Sequence, residues 1–349
     1  MYNTTIYPLV STLNLQLFAE PVPYAGVNVT GLAGMEPTMK EFYNTELLEN
    51  AREKLVFQQL GRQETLPEKH GKVVEWRKWE TLGDADELTE GVIPDGKELA
   101  MTKLQVEITQ YGQYVKISDQ LELHAVDDAI LGATEELGAA SGKTFDKLVR
   151  NELMKNANVL FADVVKADGT YVSTPESRSA LATALGTSGQ TAKLTPTMIN
   201  RAVTKLRKAN VPYYSGNKYV AVVHPSVAYD LRDNKDWNEF HKYAATEQIF
   251  NGEIGELHGV RFVESTLAPI VKQGDKSIYL TMIFGKDAFG VVNPTGATME
   301  TIIKDRAEAG GPLNQFSTVG NKFSMAAKVL YPERMVTVES SSFYNDAAN

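Results

Sequence analysis

Two segments rich in β-forming residues, separated by an acidic stretch, constrain the fold of this chain more than any other feature. Val73 to Glu80 follows a turn signal at His70–Lys72 and is dominated by β-formers, so it predicts a strand. Leu104 to Ser118 predicts a second, longer strand. The residues between them, 81–100, are acidic and rich in turn formers, and they show no core-forming periodicity. The pattern predicts a long two-stranded β-ribbon, which is marginally stable in water by itself.

The predicted ribbon has large aromatic side chains on both faces. Trp76 and Trp79 are three residues apart and therefore point to opposite faces, and Tyr111 and Tyr114 do the same on the second strand. Aromatic residues on both faces of a thin ribbon would leave apolar surface exposed in a monomer. Two alternatives follow: the ribbon folds back on its own domain, or it lies across a neighbouring copy, where these residues become anchors.

The apolar phase of the second strand changes partway along it. Leu104 and Ile108 share one face, whereas Tyr111 and Ile117 have the opposite phase. The sequence therefore predicts either a β-bulge near Gly112 or a strand that leaves the ribbon there and enters a domain.

The segments that flank the ribbon differ in character. Residues 1–37 contain no Lys or Arg and several turn formers, which predicts an extended arm whose apolar residues lie on another surface. Pro37 to Leu60 has helical periodicity and ends at Gly61. After the ribbon, Asp127–Asp128 cap a helix that is predicted to reach about Asn156.

From Val159 onward the pattern predicts an α/β or α+β unit. Helices are predicted over 195–209 and 225–232, and strands over 219–223, 260–263, 278–284, 289–292 and 298–303. Near the end, Lys322 to Leu330 and Met335 to Glu339 flank a turn at 331–333, which predicts a hairpin-like pair.

No stretch of the sequence has the residues of a recognisable catalytic, cofactor-binding or metal-binding site. The chain has five histidines and no cysteine, and no two histidines have the helical spacing of a zinc site. His224 precedes Pro225 at the end of a strand, where a local hydrogen-bonding role is expected. Gly252–Gly259 lacks the Gly-Lys-Ser/Thr ending of a phosphate loop and predicts a turn or bulge.

The acidic run in the ribbon is the remaining candidate for a cation site. It does not match the Asp-x-Asp-x-Asp-Gly pattern of a calcium loop, so a cation site is not expected there. The run comprises Asp84, Asp86, Glu87 and Glu90.

Charge and hydropathy exclude two further classes of function. The net charge is −9 and the isoelectric point about 5.2, which argues against a dedicated nucleic-acid binder because phosphate recognition needs clustered Lys and Arg. No stretch approaches the roughly 20 apolar residues of a membrane span, so no membrane partner is expected.

Several stretches resemble the major capsid proteins of tailed bacteriophages, which have the Hong Kong-97-type fold. Asn14–Glu20 is similar to an opening common in phage capsid genes. The run from Asn50 to Trp79, followed by Leu88–Val92 and Gln110–Gly112, resembles the capsid family typified by the coliphage N-four. Gly259–Ser265 is similar to a late axial-domain strand of that family. The resemblance extends over nearly the whole chain after about Met35.

The resemblance implies an α+β fold with an N-terminal arm, an extended β-ribbon loop, a spine helix, a peripheral domain and an axial domain. The implied segments are the arm at 1–37, the first peripheral-domain helix at 38–71, the extended loop at 72–118, the spine helix at 119–158, the axial domain at 159–303, and the return to the peripheral domain at 304–349.

The resemblance also implies a function. Such proteins form pentamers and hexamers that tile an icosahedral shell around double-stranded DNA, and they have no enzymatic site. The implied location is the virion, after synthesis in the bacterial host cytoplasm. A separate scaffolding protein is expected because the arm is short and lacks basic residues. A portal protein is expected too, and contact with the packaged DNA should be weak and non-specific. Whether decoration proteins bind the shell stays open. The expected inter-subunit contacts are Leu15, Leu17, Phe18, Trp76, Arg77, Trp79, Tyr111 and Tyr114.

Two alternatives stay open at this point. One is an encapsulin-like nanocompartment shell, which shares the fold but encloses cargo enzymes. The other is an enzyme with an unrecognised site in residues 159–303.

Overall fold

The protein is described here by a computed structural model. The structure describes residues 56–67, 71–80, 82–85, 87, 96–124, 129–234, 237, 253–294, 299–309 and 312–344. The predicted arm, most of the Pro37–Leu60 helix and the Asp127–Asp128 cap lie outside these residues, and so do Leu15, Leu17 and Phe18.

The described residues form a mixture of helices and strands, which confirms the predicted α+β class. The helices are α1 Phe57–Leu60, α2 Asp119–His124, α3 Ala129–Leu153, α4 Arg178–Gly186, α5 Pro196–Lys208 and α6 Pro225–Asp233, with a 3₁₀ turn at Pro332–Arg334. The strands up to residue 200 are β1 Arg62–Leu66, β2 Val73–Trp79, β3 Met101–Glu107, β4 Thr109–Ser118, β5 Val159–Phe161, β6 Val164–Lys166, β7 Tyr171–Ser173 and β8 Gln190–Thr191. The later strands are β9 Tyr219–Val223, β10 Glu253–Leu257, β11 Val260–Glu264, β12 Ile270–Gln273, β13 Lys276–Phe284, β14 Phe289–Pro294, β15 Glu300–Lys304, β16 Phe316–Val329 and β17 Met335–Ser340.

These elements divide into two compact units. The smaller unit contains Gly112–Leu137 and Thr301–Asn321, and the larger contains the described parts of Leu48–Tyr111, Gly138–Glu300 and Lys322–Asn349. The chain passes from one unit to the other within β4, α3, β15 and β16.

A seven-stranded mixed sheet forms the centre of the larger unit. Its order is β10–β11–β9–β13–β17–β5, with β12 paired to β13, and the β9–β11 and β5–β17 pairs are parallel. The amphipathic helix α5 buries one face against this sheet. Thr195 caps that helix by accepting a hydrogen bond from the N–H of Met198 at 3.4 Å, and Pro196 occupies the first turn, as its missing N–H allows.

The second half of α3 anchors the segment that precedes the ribbon. Phe145, Val149 and Leu153 are buried in one cluster with Phe57 of α1. Asp146, on the same helix, accepts hydrogen bonds from the N–H groups of Val56 at 3.0 Å and Gln58 at 3.3 Å. The N–H groups of a first turn have no partner within their own helix, so a carboxylate supplied by another helix satisfies them.

A separate core stabilises the smaller unit. It contains Ile117 of β4, Ile130 and Leu137 of α3, Ile303 of β15 and Val319 of β16. The approach of β4 to β16 in this unit depends on the absence of a side chain at Gly320, where a Cβ would lie 2.8 Å from the Cβ of Tyr114.

Most long predicted elements match the structure, and two predictions need correction. The helix over 195–209, the strand over 219–223 and the helix end at Gly61 are confirmed. The hairpin-like pair at the C-terminal end is wrong: β16 pairs with β14, whereas β17 pairs with β13 and β5 in the other sheet. The 3₁₀ turn between them moves the chain from one sheet to the next instead of reversing it.

The second correction concerns the strand predicted over Leu104 to Ser118. It is two strands, β3 and β4, separated at Ile108. β3 pairs with β2 in the ribbon, whereas β4 pairs with β16. The change of apolar phase therefore marks the point at which the chain leaves the ribbon, and not a bulge near Gly112.

Replacing Asp146 by Ala should lower the free energy of unfolding by about 1–3 kcal/mol, because two backbone N–H groups lose their acceptor. Asp146→Asn retains one acceptor oxygen and should cost less. Chemical denaturation of the unassembled subunit measures both. An Asp146→Ala protein as stable as wild type would contradict the role assigned to this carboxylate.

Candidate assembly surfaces

The register of the β2–β3 ribbon sorts its side chains onto two faces of different character. Residues directly opposite each other in an antiparallel pair share a face. Trp76 lies opposite Leu104, and Val74 lies opposite Val106. This apolar side is called the inner face below. The other side, the outer face, alternates with it and includes Val73, Glu75, Arg77, Trp79, Met101, Lys103, Gln105 and Glu107.

The inner face packs against the body of the same unit. The ring of Trp76 lies so close to β14 that a Cβ built on Gly290 would be 2.9 Å from its Cζ2 atom and 3.3 Å from Leu330. Glycine at position 290 therefore makes room for the indole. Trp76 is half-buried as a result, so the first of the two alternatives, folding back on the same chain, holds for this face.

Lys78 adds a polar contact beside the indole. Its ammonium nitrogen lies 2.6 Å from Oε1 of Glu333 and 4.6 Å from the ring centroid of Tyr331. The guanidinium of Arg334 lies 3.8 Å from the same ring. Partial burial raises the pKa of Glu333, but the hydrogen bond from Lys78 and the charge of Arg334 outweigh this, so its pKa lies below the usual value. Glu333 is therefore ionised and paired at neutral pH.

The outer face is charged along its middle and at the end nearest the body, and it is apolar at its far end. Glu75 accepts hydrogen bonds from Arg77 at 2.8 Å and from Gln105 at 3.0 Å, and these donors lower its pKa. Lys72 pairs with Glu107 at the end nearest the body. At the far end, Trp79 is 59% exposed and lies opposite Met101. An exposed indole on an otherwise polar face leaves apolar surface in contact with water.

The described residues of the ribbon tip, at 80, 82–85, 87 and 96–100, continue this exposed surface. The N–H of Glu80 donates to the carbonyl of Ala100 at 3.0 Å, so the pairing extends one residue past the strands. Beyond it, Leu82 is 52% exposed and Leu99 is 56% exposed. Of the acidic run, Asp86 and Glu90 lie outside the described residues.

The two tyrosines of β4 have different environments. Tyr111 is half-buried and stacks on Phe323 with ring centroids 5.7 Å apart, inside the larger unit. Tyr114, in the smaller unit, is 65% exposed. Of the two tyrosines, Tyr111 therefore packs on an apolar side chain of its own subunit, whereas most of Tyr114 is open to solvent.

The expected contact residues therefore separate into three groups. Trp76 and Tyr111 are half-buried within their own subunit, and their contact with a neighbouring subunit stays a prediction. Arg77, Trp79 and Tyr114 project from it into solvent. The three arm residues lie outside the described part of the chain.

The residues that were weighed for chemistry have structural roles. His224 caps α6, since its Nδ1 accepts from the N–H of Ser226 at 3.2 Å. His258 and Gly259 both have positive φ and form the turn of the β10–β11 hairpin, which also contains a bulge, as the turn-or-bulge interpretation predicted. Within the described residues no cluster of acidic, His or Cys side chains is arranged to bind a metal. The helices that the structure describes include none that is long and apolar enough to cross a membrane.

A second exposed aromatic cluster lies at the C-terminal end and was not foreseen. Phe343 and Tyr344 contact Tyr229 of α6, with ring centroids 6.5 Å and 4.9 Å away. The segment is fixed by a hydrogen bond of 2.9 Å from the N–H of Phe343 to the buried Asp230, which also pairs with Lys193 at 2.8 Å. The sequence signal was weak because these rings are far apart in the chain and close to its end.

Comparison with known proteins assigns the family. A family model described as phage capsid protein matches residues 102–337, which is more than half of the chain. The chain belongs to this phage capsid protein family. It is a structural protein of the phage shell, as the resemblance implied. No curated protein matches the sequence significantly.

Solved phage capsids share the fold of this capsid protein. The capsid of the Helicobacter pylori bacteriophage KHP30 is 11% identical with a TM-score of 0.63, and the match covers 98% of this chain and 99% of that one. The capsid of the cyanophage P-SCSP1u is 16% identical with a TM-score of 0.61, covering 82% of this chain and 88% of that one. The capsid of Ralstonia phage GP4 is 15% identical with a TM-score of 0.59 and has the same coverage. The expected Hong Kong-97-type capsid fold is thereby confirmed.

The two ribbon tryptophans should respond differently to replacement by Ala. Trp76→Ala removes a half-buried indole from β14 and should lower the stability of the unassembled capsid protein by about 2 kcal/mol. Trp79→Ala removes an exposed ring and should change that stability by less than about 0.5 kcal/mol while reducing shell yield. The two variants control for each other, being the same substitution on opposite faces of one strand. Equal loss of subunit stability in both would refute the assignment of faces.

Neutralising Glu333 should loosen the ribbon without unfolding the subunit. Glu333→Gln removes an ion pair that is partly exposed and therefore worth at most about 1 kcal/mol, so backbone hydrogen exchange in β2 and β3 should rise up to about fivefold. Glu300→Gln is a matched control, because Glu300 pairs with Lys322 at 2.7 Å with similar exposure and lies outside the ribbon. If both variants change exchange in the ribbon equally, Lys78 does not tether it.

Proposed function

We propose that this capsid protein assembles into pentamers and hexamers, which tile an icosahedral shell around double-stranded phage DNA. The observation that supports this most strongly is the two-sided ribbon. The ring of Trp76 on its inner face packs against Gly290 of the same subunit, whereas its outer end exposes Trp79 and Leu99 to solvent. A soluble monomer would gain nothing from such a surface, and a second copy of the chain would bury it.

The inter-subunit anchors in this proposal are the exposed members of the expected set. Trp79 and Tyr114 supply apolar area, and Arg77 supplies a charge that is mostly exposed. Leu15, Leu17 and Phe18 of the N-terminal arm complete the proposed contacts, because an arm with apolar residues and no Lys or Arg needs a surface to lie on.

The proposed domain assignment follows the element order of the capsid fold. The extended loop covers 72–118, of which β2 and β3 form the paired ribbon while β4 pairs with β16. The spine helix covers 119–158, with α3 as its main helix, and the axial domain covers 159–303. The peripheral domain combines the spine helix with 38–71 and 304–349. The arm at 1–37 is the proposed contact with neighbouring subunits.

The proposed partners follow from charge and from the shell itself. The net charge of −9 suits a shell that holds DNA only by weak, non-specific contact, since strong binding would oppose packaging and release. A separate scaffolding protein and a portal complete the proposed assembly, in which the subunit has no catalytic role. Assembly takes place in the host bacterial cytoplasm and the product is the virion shell. The family match favours this phage shell over a cellular nanocompartment.

Electron microscopy of the expressed full chain, alone and with its scaffolding protein, tests the proposal. Closed shells or sheets of capsomers are expected. A compact particle that stays monomeric at high concentration under both conditions would contradict it.

A further inference from the structure

The last turn of α5 carries three exposed cations. Lys205, Arg207 and Lys208 lie on the face of this helix that is not buried, and none of them forms an ion pair with a described side chain. The negative end of a helix dipole is equivalent to about half an elementary charge, so it stabilises these cations without neutralising them. The end of α5 therefore keeps an unbalanced positive charge in a chain whose net charge is −9.

Two further segments that contain cations lie against the end of α5. The carbonyl of Pro212, just after the helix, accepts a hydrogen bond of 3.1 Å from the N–H of Lys286, whose side chain is exposed. The N–H of Gly285 donates to the carbonyl of Arg334 at 3.0 Å, and the guanidinium of Arg334 donates back to the carbonyl of Lys286 at 3.1 Å. Folding thus brings together cations that are far apart in the sequence.

The resulting patch, called the basic surface below, has a net positive charge. Its cations are Lys78, Lys205, Arg207, Lys208, Lys286 and Arg334. Its carboxylates are Glu333, which pairs with Lys78 at 2.6 Å, and Asp287. Six cations and two carboxylates leave a net charge of +4, and the neighbouring pair of Lys218 and Glu256, at 2.5 Å, adds none. No local stretch of the sequence shows this cluster, because its cations come from four separate segments.

The basic surface offers little apolar area to a protein partner. Tyr213 is 38% exposed beside the end of α5, and the ring of Tyr331 is already in contact with Lys78 and Arg334. Protein interfaces gain most of their affinity from apolar and aromatic anchors that become fully buried. A phosphate backbone needs no such anchors, since exposed Lys and Arg side chains bind it through charge. The chemistry of the patch therefore fits a nucleic acid better than a protein.

We infer that the basic surface is where this capsid protein contacts packaged double-stranded DNA, through its phosphates and without regard to base sequence. The inference rests on the proposed function and adds to it the part of the larger unit that faces the interior of the shell. Four cations of the surface are exposed and have no carboxylate partner among the described residues: Lys205, Arg207, Lys208 and Lys286. Each subunit can therefore neutralise about four phosphates.

A contact of this size agrees with weak binding. Each neutralised phosphate adds about 0.9 to the slope of log affinity against log salt concentration, so four of them give a slope of about −4. The rest of the chain is more acidic than the chain as a whole and repels DNA, which confines the contact to this patch. One subunit then holds DNA loosely, whereas many copies on the inner side of a shell act together.

Binding of a short DNA duplex to the unassembled subunit, measured by fluorescence anisotropy over a range of salt concentrations, tests the inference. The test variant combines Arg207→Gln, Lys208→Gln and Lys286→Gln. Its affinity at low salt should fall at least about tenfold, and its salt slope should become shallower by about 3.

The matched control removes the same charge at scattered sites of the larger unit. It combines Lys143→Gln, Lys166→Gln and Lys272→Gln, three exposed lysines that form no ion pair with a described residue. This control should bind within about threefold of wild type and keep the wild-type salt slope. Thermal unfolding verifies that both variants are folded.

Three results would overturn the inference. The first is a wild-type subunit that leaves the duplex unbound at low salt, and the second is a test variant that binds like the control, including one that has instead lost assembly with the scaffolding protein. The third is duplex binding to closed, empty shells as tight as to the free subunit, because the basic surface should then lie inside and out of reach. Failure of the wild-type chain to form shells at all would instead contradict the proposed function.

Discussion

The contact between the Trp76 indole and the bare backbone of Gly290 determines how the ribbon can be used. A two-stranded ribbon has too little area to hold itself in place, so one of its faces must pack on a larger body. Because side chains alternate along a strand, seating Trp76 inward forces Trp79 outward. The contact of Trp76 with its own subunit therefore both exposes Trp79 and fixes the side of the ribbon on which it lies.

The other contacts of the ribbon supplement the packing of Trp76 on Gly290. Lys78 and Glu333 add a weak, partly exposed pair that helps to hold the ribbon in place, while Glu75, Arg77 and Lys103 keep the middle of the outer face soluble. Among the described residues, the apolar side chains near the tip, Trp79, Leu82 and Leu99, are more exposed than Val73 at the start of β2. A subunit built this way resists edge-to-edge aggregation along the ribbon and still offers one end to a partner.

Long elements with clear periodicity could be predicted from the sequence, whereas their partners could not. The apolar spacing of α5 and the turn signal before β2 are local properties, and both elements lie where they were expected. Which face of the ribbon would be buried depended on Gly290, more than two hundred residues away, and no local pattern encodes that contact. The sequence did not predict that β16 and β17 belong to different sheets. A short polar turn can either reverse the chain into a hairpin or carry it from one sheet to the other. The change of apolar phase in this segment was visible in the sequence. Only the pairing of β4 with β16 shows that the chain leaves the ribbon there and does not form a β-bulge within it.

The most direct test of this account is a high-resolution structure of the assembled shell, in which the neighbours of the ribbon can be identified. The account predicts that Trp76 stays on Gly290 of its own subunit while Trp79 becomes buried against an adjacent one. A shell in which Trp79 remains open to solvent, or in which Trp76 has left Gly290 for the neighbour, would contradict it.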